Sequence, residues 1–129
     1  MVDLFAGSGA LGLEALSRGA RSVTLVEKTA KSIRAIANNI EILAAGESAT
    51  IKRADAILFA KSLLAGDFDL AFADPPYEGG FAPILAGIWL QTPFSSILSI
   101  EHKRGEKMPD ATDTRRYGTS AITFYRTEA

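Results

Sequence analysis

Asp3-Leu4-Phe5-Ala6-Gly7-Ser8-Gly9-Ala10-Leu11-Gly12 decides the fold. An apolar run ending near Phe5 breaks at a tight turn, Gly7 to Gly9, and a helix-period segment opens at Ala10. The spacing predicts a strand end over 2–5, a helix over 10–18 stopped at Gly19, and a strand over 22–27 (SVTLVE), rich in β-branched residues. Working outward, the same alternation continues. An amphipathic helix is expected over 31–45, with Ile33, Ile36, Ala37, Ile40 and Ala44 inward and Gly46 closing it. A strand over 49–53 and a helix capped by Asp55, running to Ala65 and ended by Gly66, come next. A buried strand over 69–73 is broken by Asp74-Pro75-Pro76-Tyr77, and a helix over about 81–90 holds Pro83 in its first turn. A strand over 96–101 precedes an antiparallel pair, 112–117 and 121–126, across Gly118-Thr119. This order implies an α/β fold: a mostly parallel, doubly wound sheet with an antiparallel C-terminal hairpin.

Composition bounds the chemistry. A chain of 129 residues, 47% hydrophobic and 22% charged, suits one soluble domain, 1–129. With no cysteine and a single histidine, His102, a disulfide framework, a cysteine zinc site and a thiol nucleophile are excluded, and no metal site is expected. His102 is expected to be an exposed neighbour of the fifth strand. No apolar run approaches the ~20 residues of a membrane span and no signal peptide is legible, so a cytoplasmic protein without a membrane partner is expected. The net charge of -1 hides an asymmetry: residues 102–129 carry 6 Lys and Arg against 4 Asp and Glu. That surplus reads equally as a solvated face or as an RNA-contacting edge.

Gly7-Ser8-Gly9-Ala10-Leu11-Gly12 matches G-x-G-x-x-G, and Glu27 lies twenty residues after Gly7. Glycines let the backbone approach a ligand, and the acid accepts hydrogen bonds from ribose hydroxyls, so an adenosine-type cofactor is implied. Asp3 narrows the choice. An acid at the end of the first strand is unfavourable beside a pyrophosphate and favourable beside a sulfonium or ammonium, which favours S-adenosyl-L-methionine over NAD.

Asp74-Pro75-Pro76-Tyr77 follows the fourth strand, on the same rim. The exocyclic amine of a nucleobase is a poor nucleophile, because its lone pair is delocalised into the ring. Asp74 and the Pro75 carbonyl can each accept one of its N–H bonds and localise that lone pair, while the prolines stiffen the turn. Tyr77 offers a flat face for a base taken out of its stack.

These residues closely resemble a known family. Asp3 through Ala20 is similar to the opening block of the RsmD-type methyltransferases. Val26-Glu27-Lys28, Asp74-Pro75-Pro76-Tyr77, Arg116-Tyr117-Gly118 and Thr123-Phe124-Tyr125 resemble its later blocks. The resemblance implies a Rossmann-like class I methyltransferase fold. It also implies methylation of the exocyclic N2 of a guanine in bacterial small-subunit (16S) ribosomal RNA, with S-adenosyl-L-methionine as cofactor. The implied partner is that RNA or its ribonucleoprotein particle; a monomer is expected, although nothing in the sequence fixes the oligomeric state. By the same resemblance Asp3, Phe5, Gly7, Ser8 and Gly9 line the cofactor, mainly its methionine side. Glu27 holds the ribose, Lys28 lies beside the adenine and Asp55 meets the adenine amino group. Asp74, Pro75 and Tyr77 handle the target base.

Two departures stand out. Ala54 occupies a position where the family usually has glycine. The family also carries an arm-like N-terminal segment before this point, so the chain is expected to be truncated relative to it, with one wall of the pocket missing. Three other readings remain open: an adenine-N6 methyltransferase on another nucleic acid, a dinucleotide-dependent oxidoreductase, and a non-catalytic remnant.

Overall fold

The computed structural model describes residues 1–111 and 113–128. In chain order the elements are β1 (Val2–Leu4), α1 (Ala10–Ser17), β2 (Val23–Glu27), α2 (Ala30–Ile42), β3 (Ala49–Arg53), α3 (Ala56–Lys61), β4 (Phe68–Ala73), α4 (Phe81–Gln91), β5 (Ser95–Lys103), β6 (Asp113–Tyr117) and β7 (Ser120–Arg126). One sheet runs in the order β3-β2-β1-β4-β5-β7-β6. The first five strands are parallel, and β7 lies antiparallel to both β5 and β6. The chain winds outward from β1 to β3, then returns to place β4 on the other side of β1. That reversal opens a crevice at the carboxyl ends of β1 and β4, where sheets of this kind bind ligands.

Side chains alternate between the two faces of the sheet. One face carries Val2, Leu4, Val26, Ala71, Ala73, Leu98, Ile100 and Tyr125, packed with Ala56 and Ala60 of α3 and Ala82, Leu85, Ala86 and Trp89 of α4. The other face buries Val23 and Leu25 with Leu13 of α1 and Ile36 of α2. The hairpin is tied to the first of these cores. Trp89 packs its ring on Tyr125 at 5.7 Å between centroids and donates from Nε1 to Ser95, while Tyr125 donates its hydroxyl to Pro109 O at 2.7 Å.

Gly12 explains why α1 can lie so close to the sheet. A Cβ there would come within 2.6 Å of Leu25 and 2.9 Å of Val23. The third glycine of the motif is therefore a packing requirement.

Several expectations need correction. The second helix ends at Ile42, and the left-handed residue past its end is Ala44 (φ 52°); Gly46 does not close it. Ala37 and Ala44 are exposed, so the apolar stripe is narrower than its spacing suggested. The third helix stops at Lys61, well before Ala65, because the Ser62 hydroxyl bonds back to Phe59 O and Asp67 accepts the Leu64 amide, folding the chain into a turn. His102 is buried, at 2% exposure. Its Nδ1 donates to Lys103 O (3.0 Å), and Nε2 accepts from the Thr123 hydroxyl (2.7 Å), which also bonds Thr114. Thr112, assigned from sequence to the sixth strand, lies outside the described residues. No helix of the described residues is long and apolar enough to cross a membrane.

Gly12→Ala should destabilise the protein by about 1–3 kcal/mol through overpacking against Val23 and Leu25. Urea unfolding with an unchanged slope and a lower midpoint checks this; an unchanged midpoint contradicts the packing argument.

Candidate active site

A cavity of about 610 Å³ lies at the carboxyl ends of β1 to β5 and the corners that follow them. Phe5 and Gly7 enter it from the first corner, Glu27, Lys28 and Thr29 from the second, and Ala54 and Asp55 from the third. Asp74 to Tyr77 come from the loop after β4, Phe81 from the start of α4 and Glu101 from β5. Five elements far apart in sequence thus converge on one volume, because each strand ends on the same rim.

Glu27 organises the first two corners. Its Oε2 accepts the Gly7 amide at 3.0 Å, and its Oε1 accepts the amide of Lys28 at 3.0 Å. Ala6 also donates to Val26 O at 2.9 Å. Gly7 has φ of 60°, a left-handed conformation that glycine adopts without a Cβ penalty. Phe5 adopts the same φ of 60° with a bulky side chain, a conformation that costs on the order of 1–3 kcal/mol. Its ring packs on Phe81 at 5.8 Å between centroids, which holds it in place over the cavity.

Asp3 sits elsewhere than the cavity wall. It is 3% exposed, and its Oδ2 accepts the Gly12 amide at 3.2 Å. Burial pushes its pKa up to about 7 against the pull of that amide, and the charges of Asp74 and Glu27 push it further. Asp3 therefore lies beneath the cavity floor, close enough to feel both acids. Ser8 and Gly9 are also absent from the lining: Ser8 is exposed, its carbonyl accepting from Asn39 Nδ2 at 3.0 Å, and Gly9 caps α1 with φ of 80°. Asp55 does two things at once. Its Oδ1 caps α3 by accepting the Leu58 amide at 3.0 Å, and its Oδ2 stands 4.0 Å from Lys28 Nζ, at the cavity wall. Ala54, in the position of the expected glycine, fits the corner with its amide on Glu27 O at 3.0 Å.

The structure also brings in one residue that the motifs do not announce, Phe81, beside Glu101, which the sequence places at the end of the fifth strand on this rim. Phe81 follows Gly79-Gly80, and nothing local to it signals a role at the cavity. Glu101 neighbours the Asp74 carboxyl; burial first, then hydrogen bonding to Asp74 and its charge, push the Glu101 pKa above the usual carboxyl range. The Tyr77 hydroxyl bonds the Ser120 hydroxyl, joining the loop after β4 to the hairpin. Four carboxyl groups and one ammonium line the cavity, so it favours a cationic ligand and disfavours a pyrophosphate.

The model of the family described as "Conserved hypothetical protein 95" matches residues 1–126. The chain belongs to this family. It is the family of the RsmD-type methyltransferases, as the sequence blocks implied. YlbH of Bacillus subtilis, whose name marks it as a candidate rRNA methyltransferase, is 33% identical over 136 residues, covering 97% of this chain and 74% of that protein. Ribosomal RNA small subunit methyltransferase D of Escherichia coli is 39% identical over 79 residues, covering 61% of this chain but only 39% of that protein. Among solved structures, the Escherichia coli yhhF protein, described as a candidate methyltransferase, superposes with a TM-score of 0.81 at 28% identity, covering 99% of this chain and 75% of that one. The fold is the Rossmann-like methyltransferase fold of the family.

Asp3 generates a pH prediction. A carboxyl whose pKa is raised on folding binds its proton more tightly in the folded state, so its contribution is full below about pH 4 and is lost as pH rises through about 7. Asp3→Asn should flatten the fall in unfolding free energy across that window, by a few kcal/mol in total. Urea midpoints measured from acid to neutral pH check this; parallel profiles for the two proteins contradict it.

Proposed function

We propose that this chain uses S-adenosyl-L-methionine to methylate the exocyclic N2 amine of a guanine in bacterial small-subunit (16S) ribosomal RNA, free or within its ribonucleoprotein particle. The observation that carries this reading is the convergence of the Asp74-Pro75-Pro76-Tyr77 loop and the Glu27 corner on one cavity at the switch point of the sheet. The family and the names of the two relatives support the same class of substrate.

The residues present fit the cofactor. Glu27 and Lys28 stand where a ribose and an adenine can be held, with Asp55 beside them for the adenine amine. Phe5 supplies an apolar surface, and Gly7 leaves room for close approach. The surplus of carboxyl groups suits a ligand bearing a sulfonium and an ammonium. Asp3 acts from below, through the conformation of the glycine turn and through its charge. When bound, S-adenosyl-L-methionine supplies an electrophilic methyl group.

The chain's own residues prepare the nucleophile. Asp74 and the Pro75 carbonyl accept the two amine hydrogens and favour tetrahedral geometry at nitrogen. Tyr77, 40% exposed with its hydroxyl held by Ser120, presents its ring to the extruded base. Glu101 lines the same cavity beside Asp74, and its raised pKa makes it able to carry a proton towards that carboxyl. Pro75 is buried, which anchors the turn.

Tritiated methyl transfer to hypomethylated small ribosomal subunits, naked ribosomal RNA and duplex DNA tests the reading. Incorporation into the ribosomal substrates, recovered as N2-methylguanine, is expected; incorporation only into DNA, or recovery as N6-methyladenine, contradicts it. Asp74→Ala should lower kcat by about 100-fold or more, since it removes a partner of the reacting amine. The same variant should bind S-adenosyl-L-homocysteine nearly as the parent does. Near-normal turnover of Asp74→Ala would overturn the assigned mechanism.

A further inference from the structure

The hairpin turn between β6 and β7 lies against the active-site loop. Register places Lys103, Ser120 and Tyr117 side by side across β5, β7 and β6, at the end of the sheet that carries the cavity. Matched positions on neighbouring strands share a face, so these three side chains form one row. Ser120, in the middle of it, bonds the Tyr77 hydroxyl. Arg104 follows Lys103 and is held on the same turn: its amide donates to Thr119 O at 2.9 Å and its Nη1 to Gly118 O at 3.3 Å. The remaining guanidinium N–H groups stay available. Tyr117 is 57% exposed, and Lys103 and Arg104 are exposed and form no ion pair among the described residues.

Charge divides sharply here. The cavity is lined by four carboxyl groups, whereas the rim beside it carries free cations and an open aromatic ring. A phosphate is repelled from the first and attracted to the second. A neutral base can enter the cavity while its own backbone is held outside. That combination of an aromatic platform and cations is the chemistry that tracks a single strand of nucleic acid.

We propose that Lys103, Arg104 and Tyr117 form the docking surface for the single-stranded RNA flanking the target base, with Tyr117 stacking a neighbouring base and the two cations holding phosphates. This rests on the nucleic-acid reading of the site given above. The link from Ser120 to Tyr77 makes the surface continuous with the pocket that receives the base. None of the three residues lines the cavity, so their loss leaves cofactor binding intact.

The test is fluorescence anisotropy with a fluorescein-labelled single-stranded oligoribonucleotide containing one guanine, in the presence of S-adenosyl-L-homocysteine. Affinity for that cofactor product is measured separately by calorimetry. Tyr117→Ala should weaken RNA binding about tenfold, and Tyr117→Phe should retain it, because stacking needs the ring alone. Lys103→Ala with Arg104→Ala should reduce the slope of log affinity against log salt by about 1.4, the loss of two phosphate contacts on a single strand. Lys61→Ala, on the exposed end of α3, should change neither. Each variant should bind S-adenosyl-L-homocysteine as the parent does. RNA affinity and salt slope unchanged in the hairpin variants would overturn the docking surface while leaving the site reading standing. A parent chain that binds S-adenosyl-L-homocysteine but no RNA would also overturn the docking surface, while the site reading stands or falls on methyl transfer to the ribosomal substrates.

Discussion

The hydrogen bond from the Gly7 amide to Glu27 is the constraint on which the rest of the site depends. It joins two strand–helix corners twenty residues apart and sets how far apart they stand. With Glu27 also accepting the Lys28 amide, one carboxylate fixes the backbone on both sides of the cavity floor. The close seat of α1 at Gly12 holds the same turn from behind, and the buried Asp3 carboxyl completes that support. The acid proposed to hold a ribose is therefore also the acid that shapes the turn. A ligand hydroxyl would join a carboxylate already oriented by two amides, with little reorganisation left to do.

Electrostatics gives the cavity its direction. Asp3, Glu27, Asp74 and Glu101 lie close enough that two of them have their pKa values raised partly by neighbouring charge. Such crowding of acids destabilises the folded protein in the absence of a cation and is relieved by one. The strained φ of Phe5, at the head of the same turn, is a second cost concentrated at the same place. Both costs fall on residues that face or underlie one cavity. The packing of Trp89 of α4 on Tyr125 of β7 lies near the start of β5, away from them.

Much of this was legible in the sequence. The alternation of β-branched runs with helix-period segments placed every element, and β3 was read with its observed ends. The rim itself was legible, because strands of a parallel sheet all end on one side and each motif followed a strand. What escaped the reading was set by tertiary context. The end of α3 depends on Ser62 and Asp67 bonding to nearby backbone, which competes with the helical pattern without altering it. His102 looked like a polar residue beside a strand. Its burial follows from Thr123 and Thr114 arriving on strands much later in the chain to satisfy its ring. Asp3 was expected to line the cofactor pocket, but the alternation of β1 turns its side chain towards α1 and the Gly12 amide. Phe81 carries no local sign of its contact with Phe5, since that contact joins the corners after β1 and β4, strands adjacent in the sheet but far apart in the chain.

We infer that this cavity is built for an adenosine ligand bearing positive charge next to a base-accepting loop. Calorimetric titration of the chain with S-adenosyl-L-homocysteine, with NADH as the comparison ligand, tests it most directly. Saturable binding of S-adenosyl-L-homocysteine at micromolar or tighter affinity is expected, with no measurable binding of NADH. A folded sample that binds NADH, or that binds neither ligand, would contradict it.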